Sequence, residues 1–76
     1  MELKLVTSNN EITPIDLETF LNQVKKDSFF YFHRETSYKD LQDLIEELEK
    51  KNYSVYFREV KYSLEENGYM YEMHIL

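Results

Sequence analysis

The chain of 76 residues has no cysteine, no tryptophan, one glycine and one proline. Without cysteine there is no disulfide framework and no thiolate metal site, so stability must come from the core alone. A domain of this size buries only about 60% of its unfolded surface, which makes every apolar side chain count. One glycine and one proline leave no room for linkers or low-complexity tails, so residues 1–76 read as one domain. No apolar run approaches the roughly 20 residues of a membrane span. The opening Met1-Glu2-Leu3-Lys4-Leu5 lacks the basic and long apolar regions of a signal peptide. The expectation is a complete small protein of the cytoplasm.

Basic residues are also scarce. Nine lysines and arginines face 15 acids, a formal charge of −6. Such a balance repels phosphate backbones, so direct nucleic acid binding and anionic membranes are not expected. Basic proteins are the favoured partners, drawn in by long-range steering.

Aromatic residues, by contrast, are abundant and clustered. Ten of the 12 lie in three segments, Phe29-Phe30-Tyr31-Phe32, Tyr53 to Tyr62 and Tyr69 to Tyr71. Alternate strand residues point to opposite faces, so rings at consecutive positions make both faces of a sheet apolar. The second face then needs a helix, a second copy or a partner to cover it.

The chain opens with an alternating strand in which Met1, Leu3 and Leu5 share a face, followed by a turn at Ser8-Asn9-Asn10-Glu11. Ile12 to Leu17 reads as a helix start, with Thr13 as N-cap, Pro14 at the first position and Asp16 as the capping-box acid. The stripe Leu17, Phe20, Leu21 and Val24 continues that helix toward Lys25-Lys26. Ser28 to Arg34 is a second strand. A second helix starts at Thr36 or Ser37, carries the stripe Tyr38, Leu41, Leu44, Ile45 and Leu48, and ends at Lys50-Lys51 with Asn52 as a left-handed cap. Asn67-Gly68 signals a two-residue hairpin turn that pairs Leu64 with Tyr71, Tyr62 with Met73 and Val60 with Ile75. Bringing Tyr53, Val55 and Phe57 to the same side then requires a bulge near Arg58-Glu59, or a looser turn spanning Ser63 to Gly68.

The fold class that results is α/β: a two-layer sandwich in β-α-β-α-β-β order, with two helices on a four-stranded mixed sheet ending in a hairpin. Right-handed crossovers place both helices on one face and leave Phe29, Tyr31, His33, Tyr56, Met70 and His74 on the open one. A doubly wound order would cover both. The expected core is Leu3, Leu5, Leu17, Phe20, Leu21, Val24, Phe30, Phe32, Leu41, Leu44, Ile45, Leu48, Val55, Phe57, Val60 and Tyr62.

Chemistry-bearing motifs are thin. Glycine-rich phosphate loops, HExxH and CxxC are absent. His33 with Glu35, and Glu72 with His74, have strand spacing that puts two ligands on one face, yet such histidines are ordinarily half-exposed structural residues. No metal or cofactor is assigned. Glu59-Val60-Lys61 matches the E-x-K half of restriction-type nucleases, but no aspartate stands on the preceding strand to complete that site. RNA-recognition domains stack bases on strand rings, in a β-α-β-β-α-β order and a basic surround that this chain lacks.

Interaction is therefore expected over chemistry. The expected function is a small acidic regulator or inhibitor that occupies a partner protein's surface, of the nucleic-acid-mimicking kind found in phages and mobile elements. Two surfaces are candidates: the acidic helix face at Asp40, Asp43, Glu46 and Glu47, and the open sheet face at Phe29, Tyr31, Tyr56 and Met70, which a homodimer could also bury. The alternative is a small metal- or carboxylate-dependent hydrolase using Glu59, Lys61, Glu72 and His74.

Overall fold

The structure is a computed structural model that describes residues 2–6, 11–65 and 68–76. Five strands form one sheet: β1 (Glu2–Val6), β2 (Ile12–Asp16), β3 (Ser28–His33), β4 (Val55–Lys61) and β5 (Tyr69–Ile75). Two helices, α1 (Leu17–Gln23) after β2 and α2 (Tyr38–Lys50) after β3, complete the elements of the described residues. The sheet order is β2-β1-β3-β5-β4, and every neighbouring pair is antiparallel.

That arrangement corrects the expected four-stranded mixed sheet. Ile12 to Asp16 is a strand, not the first turn of a helix. Ile12, Thr13 and Ile15 are β-branched and suit a pleated surface, and Ile12, Thr13 and Ile15 pair with Val6, Leu5 and Leu3. Pro14 is tolerated because β2 is an outer strand, where a missing N–H costs little. The cap moves from Thr13 to Asp16, whose carboxylate accepts the Thr19 backbone N–H at 2.7 Å. That bond holds the Asp16 carboxyl below its ordinary pKa.

β2, β3 and β4 run parallel to one another, and each α-crossover between them skips one slot. β1 fills the first slot and β5 the second, both antiparallel. Two crossovers of the same hand that step the same way along a sheet put both helices on one side. Phe20 of α1 accordingly meets Phe30 and Phe32 at 4.8 and 5.6 Å between ring centres. α2 lays Leu41, Leu44 and Leu48 into the same layer, all fully buried. Ser37 caps it, accepting the Asp40 N–H at 3.4 Å. Its end is a Schellman turn: Asn52 at φ 69°, with the Asn52 N–H donating to Glu49 O and the Tyr53 N–H to Leu48 O.

The core is Leu3, Phe20, Phe32, Leu41, Leu44, Leu48, Met73 and Ile75, with Leu5, Ile15, Leu17, Leu21, Val24, Phe30, Ile45, Tyr53, Val55, Phe57 and Tyr71 packed around it. Val60 and Tyr62 do not belong to it, because the β4–β5 hairpin has another register. Val60 sits opposite Met70 and Lys61 opposite Tyr69, so the connection is long. This is the looser turn, and β4 runs to Lys61 with continuous pairing and no bulge at Arg58-Glu59. Asn67 lies outside the described residues, as do Met1 and Ser8 to Asn10 of the expected first strand and turn. Gly68 has no positive φ; its glycine is required because a Cβ there would strike the Ser63 side chain.

Candidate functional site

Strand alternation sorts β3, β5 and β4 into two sets of side chains. Phe30, Phe32, Tyr71, Met73, Ile75, Val55 and Phe57 face the helices. The other set forms three rows across the sheet face away from them: Phe29, His74 and Tyr56; Tyr31, Glu72 and Arg58; His33, Met70 and Val60. Phe29, Tyr31, Tyr56 and Met70, the open-face residues expected from sequence, are all in this set.

The middle row is a polar bridge. Glu72 is 7% exposed although no helix covers it. Arg58 Nε donates to its Oε1 at 2.9 Å, and the Tyr31 hydroxyl donates to its Oε2 at 3.0 Å. Burial alone would raise a carboxyl pKa, but here the Arg58 hydrogen bond wins and holds Glu72 below its ordinary value. Glu72 in turn raises Arg58 and Tyr31, each chiefly through that shared hydrogen bond. The bridge is therefore an ionised carboxylate, one hydrogen bond on each oxygen, with a guanidinium on one side and a neutral phenol on the other.

Rings flank the bridge. Phe29 stacks on His74 with centres 4.0 Å apart and planes 11° apart. Phe29 is 54% exposed and Tyr56 58%, so two large rings stand in solvent at the ends of one row. Sequence alternation could find the rings. The bridge was hidden because the expected hairpin register set Glu72 opposite Ser63, whereas the structure sets it opposite Arg58.

The acidic helix residues lie on the other side of the sheet. Asp40, Asp43, Glu46 and Glu47 recur at three- and four-residue spacing on α2 and so form one patch. Asp40, Asp43 and Glu47 are half-buried and Glu46 is exposed. Lys50 pairs with Glu47 here at 3.3 Å.

The four residues of the hydrolytic alternative are not gathered. Glu59 and Lys61 sit opposite Tyr71 and Tyr69 on the helix side, whereas Glu72 and His74 are on the open side. His33 and Glu35 do approach, at 3.9 Å. Among the described residues no three histidine, aspartate or glutamate side chains form a group able to hold a metal ion. No described helix is long and apolar enough to cross a membrane.

A family model described as HP0268 matches residues 1–76, so the chain belongs to that family. No curated protein and no solved structure matches it.

Proposed function

We propose that this HP0268-family chain is a protein-binding module, a regulator or inhibitor that acts by laying its uncovered sheet face on a partner protein. The observation that carries the reading is the pre-ordered bridge of Tyr31, Glu72 and Arg58 between exposed Phe29 and Tyr56. Interface cores are enriched in tyrosine, phenylalanine, methionine and arginine, and five of the nine residues in the three rows, Phe29, Tyr31, Tyr56, Arg58 and Met70, are of those types. Side chains already fixed by stacking and hydrogen bonds lose little entropy on binding. The hydrolytic alternative has Glu72 and His74 on the open face but Glu59 and Lys61 on the other, and both Glu72 oxygens are already engaged.

A photoreactive phenylalanine placed at position 29 or 56, irradiated in cells of the native host, tests the reading. The expected result is a discrete protein adduct at both positions, competed away by unlabelled chain and absent from a probe at Glu46. Adducts with the chain's own copy would identify the partner as a second subunit across a two-fold axis. Equal labelling at Glu46, or none on the face, would overturn it.

A further inference from the structure

Resting on that reading, we infer that Arg58 is an anchor for a carboxylate, so that the partner's epitope is an acidic side chain set beside an apolar or aromatic one. The argument starts from what Glu72 leaves undone. It takes the Nε–H of Arg58 at 2.9 Å, and among the described residues the guanidinium forms no other hydrogen bond. The two terminal nitrogens are free, and the side chain is 57% exposed. Any surface that covers this face must satisfy those donors, because a buried guanidinium N–H without an acceptor is costly. A carboxylate meets two parallel N–H groups with both its oxygens, in the geometry that a guanidinium fork prefers.

The bridge orients the fork. Tyr31 and Arg58 hold Glu72 from opposite sides, one hydrogen bond to each carboxylate oxygen, and the Arg58 bond fixes where the Nε end of the guanidinium sits. Tyr56 neighbours Arg58 on the same strand face, two residues away, and provides the ring against which the ligand's apolar part packs. A monoanion suits the site better than a phosphate. Glu72 already offsets much of the Arg58 charge, and a dianion in a chain of net charge −6 lacks the further cations that phosphate recognition draws on.

Small probes test the chemistry without the partner. Phenylacetate, phenylacetamide and phenyl phosphate are titrated at low salt while the Arg58 Nε–H and the Phe29 and Tyr56 ring signals are followed by NMR. The expected result is saturable shifts with phenylacetate, at least about threefold tighter than with phenylacetamide, falling by a further tenfold or more between 20 and 500 mM salt. Arg58→Lys keeps the charge that balances Glu72 but removes the fork, and should abolish the preference while the amide spectrum stays folded. Equal binding of acid and amide, retention of the preference in the lysine variant, or no shift on the face would each overturn the inference. Tighter binding of phenyl phosphate would overturn it in favour of a phosphorylated ligand. Cross-linking on the face without any carboxylate preference would sink the anchor and leave the binding module standing.

Discussion

Along β5, Met73 and Glu72 are neighbours in sequence and both buried, yet for opposite reasons. Met73 is fully enclosed by the helical layer, which excludes water by apolar packing. Glu72 has no layer over it; it is enclosed by its own row and column of side chains and kept charged by Arg58 and Tyr31. The comparison teaches that a sheet face can be ordered without being covered. One side gains its order from area removed from water. The other gains it from a polar bridge and a ring stack, and so can remain wet until something docks.

The largest effect expected from this contrast separates two phenylalanines three residues apart on β3. Phe32 is fully buried against Phe20, and Phe32→Ala should cost about 3–5 kcal/mol, enough to unfold so small a domain. Phe29 is half-exposed, and Phe29→Ala should cost under about 1 kcal/mol. Urea unfolding of both decides the matter, and equal losses would erase the distinction between the faces. Next in size is the helical cover itself: Ser37→Ala removes the α2 cap and should cost about 1 kcal/mol in the same measurement.

The third expectation concerns pH. The folded Glu72 carboxyl titrates below its unfolded value of 4.5, so its contribution is present above that pH and is lost as pH falls through the lower folded value. Glu72→Gln should therefore flatten the acid side of the stability profile below the ordinary carboxyl range. The same variant should return the Tyr31 phenol toward its ordinary titration, since Glu72 is the chief cause of its rise. An unchanged melting profile in acid would mean that the bridge does not survive in solution. The smallest effect belongs to α2. Charge reversal at Asp40, Asp43 and Glu46 lies across the sheet from the rings, so it should leave face cross-linking intact and alter only its salt dependence. A lost adduct would mean that one partner wraps both sides.

Much of this contrast was legible in the amino-acid order. The α2 residues Leu41, Leu44, Ile45 and Leu48, the cap at Ser37 and the left-handed Asn52 follow from local rules and lie where those rules put them, whereas Tyr38 of the expected stripe is exposed. Alternation along β3 alone assigned Phe29 and Tyr31 to the open side. What local rules could not reach was anything set by long-range pairing. Thr13-Pro14-Ile15-Asp16 satisfies helix-start chemistry, and only the neighbouring β1 makes it a strand. The Asn-Gly signal argued for a tight hairpin, but Gly68 serves a close approach to Ser63 instead. An odd shift of register moves every side chain of β4 to the other face. It was that shift which hid Arg58 from Glu72, and with it the bridge on which the candidate site is built.

The slot between β3 and β4 has a consequence for how the chain is made. Ribosomes deliver residues in order, and β5, which must lie between those two strands, follows both of them out. Until it arrives, β3 and β4 have only α2 to hold them near each other, and the edges that β5 will occupy are bare. Phe30, Phe32 and Phe57 then border an open seam, the kind of transient edge on which nascent chains mispair. Closing that seam joins residues some forty positions apart, as Tyr31 to Glu72, which slows folding relative to a local hairpin. Until β5 is inserted, the sheet is split into β2-β1-β3 on one side and a lone β4 on the other.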